Sequence, residues 1–267
     1  MGVAQAEPRT RSGFADFLIR LIREKPLGTV GGVIVLLMLL TAIFADFLAP
    51  YPYAEVHMAD RLHPPGANYF LGADALGRDV LSRIIYGARL SLYVGLGASA
   101  INVIVAAIVG IPSGYIGGGF DLTVQRFVDA MLSFPGLILL ITVMSLVGVG
   151  VGQVIIVLGI LGGIGWIRVV RSAVIAIREN IYFDAARAIG ASMTRLLGRH
   201  VLPNVMPVMV IIFSMSVAGN ILAEATLSFL GVGIPPPFPS WGAMLSWEGR
   251  AYICLLYTSP SPRDRTR

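Results

Sequence analysis

Apolar residues run along this chain in five long stretches, 27–48, 90–111, 127–147, 154–170 and 205–230, separated by short polar segments. A hydrocarbon core about 30 Å thick needs roughly 20 such residues per crossing helix, so each stretch is a candidate membrane span. Two segments carry a different pattern. In 79–89, Val80, Leu81, Ile84, Ile85 and Ala88 fill one arc of a helix and Asp79, Ser82, Tyr86 and Arg89 the other, which predicts an amphipathic helix lying along the outer interface. Between the fourth and fifth spans, Met193, Leu196, Leu197, His200 and Val201 recur at helical spacing, with Arg195 and Arg199 facing away. Gly190 is placed to end a short helix in a left-handed turn, and Ser192 to cap the next, so 178–204 reads as a helix-turn-helix knob.

Composition agrees with the spans. Hydrophobic residues make up 56% of the chain, charged residues 13%, and mean hydropathy is +0.79, a balance that a soluble domain of this length has no use for. Positive charge then reads as a topology signal and not as a nucleic-acid surface. Arg9, Arg11, Arg20, Arg23 and Lys25 precede the first span, and Arg168, Arg171, Arg178, Arg187, Arg195 and Arg199 cluster around the knob, while the loop after the third span has none. This places the N-terminus and the knob in the cytoplasm and 49–89 outside. The first apolar run is too long for a signal-peptide core, so it is expected to be a retained anchor.

Within the spans, Gly110 with Gly114 and Gly159 with Gly163 set small residues one helical turn apart, where helix backbones can approach closely. Pro135 is expected to kink the third span, and Trp166 beside Arg168 reads as an interface anchor. Arg126 and Asp129, at i, i+3, read as an interface pair, with a gating role as the alternative. Asn220 and Glu224 share a face of the fifth span. They are candidate solute-path residues able to meet an ammonium group, although Glu224 is equally placed for an ion pair with Arg83 or Arg89.

No catalytic constellation is legible. The single lysine, Lys25, precedes Pro26 and belongs to no phosphate-binding loop. Glycine clusters at 117–119 and 148–152 read as turns. One cysteine, Cys254, and scattered His57, His63 and His200 suggest neither disulfide nor metal site.

The stretch Asp184-Ala185-Ala186, then Gly190, then Leu202-Pro203, resembles the coupling loop of ABC importer permeases, with Asp184 in place of the usual Glu and His200 in place of the usual Ile. The run from Leu71 through Arg83, then Gly87 to Leu92, is similar to the segment that the dipeptide and oligopeptide branch carries at this point. So are Glu224 to Gly231 and Pro239 to Leu245. The resemblance implies an all-α, polytopic type I permease of the second-permease type: half of a translocation pore for di- or oligopeptides in the inner (plasma) membrane. It also implies a related permease as partner, two ATPase subunits, and an extracytoplasmic solute-binding protein. Asp184, Ala185, Ala186, Arg187, Gly190, Leu202 and Pro203 would couple to the ATPase. ATP would be bound by the partners, leaving this chain without a cofactor or enzymatic activity of its own. Nickel, glutathione or another small solute remains open as cargo. An ion-coupled secondary carrier is the rival from another class, for which paired ionisable residues or an internal repeat would be expected.

The expected organisation is a cytoplasmic segment 1–26, a first transmembrane helix 27–48, an extracytoplasmic loop 49–89 and a permease core 90–253 containing the coupling loop 178–204. From Cys254 the residues are compatible, codon by codon, with one reading frame of a transposon-end sequencing adapter. A non-native tail 254–267 and a missing sixth span are therefore expected.

Overall fold

A computed structural model describes residues 22–181, 183, 188, 190 and 192–248. Lipid offers backbone groups no hydrogen bonds, so an apolar stretch crosses it as a helix that satisfies its own. Helix α1 spans Pro26–Ile43, with proline in its first turn where no amide partner is needed. After Phe44 a short α2 follows, Ala45–Leu48. Among the described residues the further α-helices are α3 (Val80–Ile116), α4 (Gly118–Leu132), α5 (Gly136–Val147), α6 (Val151–Arg178), α7 (Met193–Leu196), α8 (Leu202–Phe229) and α9 (Trp241–Ala243). Leu197–Val201 forms a wider π-helical turn that joins α7 to α8.

Helix α3 begins where Asp79 accepts the Ser82 amide at 2.8 Å, a side-chain cap on its first turn. The amphipathic segment 79–89 is not a separate interfacial helix, because it continues without a break into the second span. Arg89 explains why. Its Nε donates to the Ala42 carbonyl at 2.7 Å, one Nη to the Ile43 carbonyl at 3.3 Å, and the fork grips Asp46 at 2.9 and 3.2 Å. With its charge neutralised by Asp46 on α2 and further N–H groups taken by carbonyls at the end of α1, Arg89 no longer has to leave the helix.

Helices α3 and α6 form the most extensive interface, and glycine sets its closeness. A Cβ added at Gly110 would stand 2.8 Å from the Ile167 carbonyl, and one at Gly114 2.6 Å from that of Arg171. On the other helix, a Cβ at Gly159 would meet Ile101 at 2.5 Å and one at Gly163 would meet Val105 at 2.8 Å. The partner numbers rise together along both helices, so α3 and α6 run parallel. A chain that leaves α3 and enters a parallel neighbour must first return to the starting side. The pair α4 and α5, bent by 89° at Ser133, Phe134 and Pro135, is therefore a broken span. Together with α1, α3, α6 and α8 it makes five crossings. Helix α8 runs antiparallel to α3, with Leu227 packed in the same cluster as Val94 and Asn220 beside Ser99 and Asn102.

The loop before α3 is held by Asp74, which is fully buried. It accepts the amides of Leu76 and Arg78 and pairs with the Arg78 guanidinium at 2.6 Å, with Arg83 at 3.6 Å. The buried Tyr69 phenol donates to Asp60 at 3.0 Å, and burial first, then this bond, pushes its pKa up to about 12.

Candidate functional site

The knob segment is built from its anchors outward. At the end of α6, Arg178 donates to the Tyr115 carbonyl at 3.0 Å, tying the end of α6 to the end of α3. Asn180 then caps α6 by donating to the carbonyls of Ala176 and Ile177. Phe183 is fully buried, its ring edge-on to that of Tyr115 with centres 6.0 Å apart. It joins Val170 and Val174 of α6, Leu196, Val201, and Val205 and Ile212 of α8 in one apolar cluster. Gly190 has φ of +78°, the left-handed turn expected of it. The helical stripe is present: Leu196 and Val201 are buried, Leu197 and His200 half-buried, and Arg195 and Arg199 exposed, although Met193 is exposed too.

Two details differ. Ser192 occupies the N-cap position, but its hydroxyl lies 3.2 Å from the Thr194 hydroxyl and takes no backbone amide. Leu202 and Pro203 are exposed and begin α8, outside the apolar cluster. Asp184, Ala185, Ala186 and Arg187 lie outside the described residues.

Helix α4 is strapped to α6 by a polar ladder. Arg171 takes Asp121 in a fork with both N···O distances 2.5 Å, and the Ser113 hydroxyl donates to the same carboxylate. Next along, Gln125 bridges Ser113 and Arg168, and Arg168 pairs with Asp129. The pair expected between Arg126 and Asp129 is thus replaced by a tertiary one. An i, i+3 spacing brings two side chains onto one helix face, but a guanidinium from the neighbouring helix reaches the same carboxylate.

Asn220 and Glu224 do not act as a pair. Asn220 is buried against α3, donating to the Ser99 hydroxyl at 3.0 Å and meeting the Asn102 amide at 2.9 Å, and it lines one wall of a cavity of about 340 Å³. That cavity lies beside the α4–α5 break, with Phe134, Leu158 and Gly162 among its walls. Glu224 is fully buried and is absent from that lining. Its Oε1 accepts the hydroxyls of Ser228 at 2.7 Å and Ser240 at 2.6 Å, while Oε2 has no partner. The alternative ion pair with Arg83 or Arg89 does not form either, since Arg89 is engaged with Asp46 and Arg83 lies beside Asp74. Glu224 instead fastens the segment after α8 to that helix. Trp241 extends the fastening to α3 by donating to the Ile84 carbonyl at 3.1 Å.

Sequence reasoning missed Ser99, Asn102 and Phe183 as functional positions. Ser99 and Asn102 carried a signal, two polar residues at i, i+3 inside an apolar span.

Comparison with known proteins bears directly on this architecture. Residues 103–260 match the family model described as binding-protein-dependent transport system inner membrane component. Residues 12–65 match the N-terminal TM domain of oligopeptide transport permease C. Among similar proteins, the glutathione transport system permease protein GsiD of Pectobacterium atrosepticum is 35% identical over 92% of this chain and 81% of its own length. The dipeptide transport system permease protein DppC of Bacillus subtilis is 36% identical over 84% of this chain and 70% of its own. The oligopeptide transport system permease protein OppC of the same species is 34% identical over 89% and 78%. With the family model matching more than half of the chain and these relatives spanning most of it, the chain belongs to the binding-protein-dependent inner membrane components, the permease subunits of ABC importers.

Proposed function

We propose that this chain forms one half of a pore that imports di- or oligopeptides. The related proteins named for glutathione, dipeptide and oligopeptide transport support this cargo, since all three solutes are peptides. A second related permease supplies the other half, two ATPase subunits bind the ATP, and an extracytoplasmic binding protein delivers the solute. The N-terminus lies in the cytoplasm, and the chain itself holds no cofactor and performs no catalysis. Asp184, Ala185, Ala186, Arg187, Gly190, Leu202 and Pro203 form the surface read by the ATPase. Asn220, on the wall of the cavity beside the broken span, is the path residue. Glu224 positions the outer segment.

The observation that carries this reading is the apolar cluster around Phe183. It joins the knob segment to α6 and α8 at once, so a push on the knob is delivered to two spans as a rigid-body movement. Docking of a small helix in a groove of the ATPase is the fitting mode of recognition. The test is Gly190→Leu and Phe183→Ala in the assembled transporter. Both variants should keep basal ATP hydrolysis and lose most of its stimulation by loaded binding protein, together with uptake. Full stimulation in both would refute the lever.

A further inference from the structure

At the end of the bundle remote from Phe183, α2 and the loop after it, α3 and the segment before α9 line a second cavity, of about 380 Å³. Arg89 in its wall and Tyr115 beside Phe183 are both on α3, which at 1.5 Å per residue separates the two ends by about 39 Å. The cavity walls are aromatic and charged. Tyr53 meets Tyr86 edge-on with ring centres 5.1 Å apart and stacks with Phe238 at 6.4 Å and 19°. Arg89 lies 5.6 Å from the Tyr86 ring centre and pairs with Asp46. Tyr86 also donates its hydroxyl to Asp46 Oδ1 at 3.0 Å.

Five properties of this pocket select a ligand. Asp46 is already neutralised by Arg89, so the site has no net charge to attract a simple anion or cation. Its carboxylate nevertheless remains 63% exposed, and Oδ2 accepts a bond only from Arg89, leaving a lone pair for one more N–H. Tyr53 and Phe238, stacked on one another, line the same pocket, and aromatic rings attract an ammonium by cation–π interaction. Arg89, 40% exposed, can turn its remaining N–H toward an anionic group on the same ligand. Finally, the rim merges with lipid-facing apolar surface: Tyr93 is 67% exposed and Phe47, next to Asp46, 88%. Aromatic residues at such a depth belong to the headgroup layer.

We propose that this pocket binds a primary ammonium group carried next to an anionic group. The phosphoethanolamine headgroup of a membrane phospholipid has that chemistry, and the lipid-facing rim makes it the ligand. A quaternary ammonium has no N–H for Asp46 and binds more weakly.

The test uses the assembled transporter. Native mass spectrometry after titration with dioleoyl-phosphatidylethanolamine, -phosphatidylcholine or -phosphatidylglycerol reads the lipid source. A thermal-shift titration of the delipidated complex with trialanine against N-acetyl-trialanine reads the peptide source. Tyr53→Ala and Phe238→Ala leave the Asp46–Arg89 pair in place, so they test the cage without unfastening α1. Asp46→Asn tests the carboxylate. Preferential retention of the ethanolamine lipid, reduced on the order of fivefold by Tyr53→Ala, supports the site with lipid as its source. Stabilisation by trialanine but not by its acetylated form, with no preference among the lipids, overturns the lipid assignment in favour of a peptide terminus. Equal retention of all three lipids together with equal shifts by both peptides overturns the proposal, as does a preference that all three variants leave unchanged.

Discussion

Gly114→Ala should destabilise the protein although alanine is the better helix former. The added methyl carbon would stand 2.6 Å from the Arg171 carbonyl oxygen and 2.9 Å from Val174 Cβ, where ordinary contacts begin at 3.4 Å. The obstacle is backbone, which cannot rotate aside, so the helices must part locally by about 0.8 Å. A radial gap of that size forfeits a quarter to a half of each dispersion contact across the seam. Overpacking of this kind costs typically 1–3 kcal/mol, against a helix-propensity gain of about 1 kcal/mol. The net expectation is up to about 2 kcal/mol of destabilisation. Gly32→Ala on α1 is the matched control, since nothing lies within 4 Å of its added carbon, and it should gain up to about 1 kcal/mol. At 2–4 °C per kcal/mol Gly114→Ala should melt below the control, by up to about 12 °C, in a detergent-solubilised thermal assay. A Gly114→Ala protein as stable as the control would show that glycine does not set the α3–α6 distance, and the parallel packing built on it would lose its warrant.

Asp129→Ala should loosen α4 from α6 and lower the melting temperature, whereas Arg126→Ala should leave it within about 0.5 kcal/mol of wild type; equal effects would restore the i, i+3 pair. Glu224→Ala frees the hydroxyls of Ser228 and Ser240 in a buried place and should destabilise by about 1–3 kcal/mol. Glu224→Gln keeps one acceptor and should transport free and N-acetylated peptides in the wild-type ratio; a selective loss of the free peptide would return Glu224 to the solute path.

Much of this fold was legible because lipid leaves few choices. The apolar runs located each span, with helix ends up to about ten residues away, and the small-residue pairs marked where α3 and α6 touch. The rest depended on partners far away in the chain. Nothing around Arg89 shows that Asp46 and the carbonyls of Ala42 and Ile43 await it, so 79–89 reads as a helix confined to the interface when it is the start of α3. Local spacing favoured Arg126 for Asp129, while Arg168 is distant in sequence and close only in the fold. Phe183 stood inside the recognised motif, yet its role as anchor appears only once Tyr115, Val174 and Leu196 surround it. Glu224 carried the right signal, an isolated carboxylate in an apolar span, but its partners are hydroxyls, and serines do not announce themselves as counter-groups.

The break at Ser133, Phe134 and Pro135 bears on how the cell handles this subunit. All three residues are exposed, and a helix interrupted within the bilayer presents backbone groups that lipid cannot satisfy. Such groups are tolerated where another chain or a water-filled cavity covers them. With the second permease proposed above as the cover, a copy made alone leaves these groups facing lipid, so its abundance in the membrane should follow that of the proposed partner.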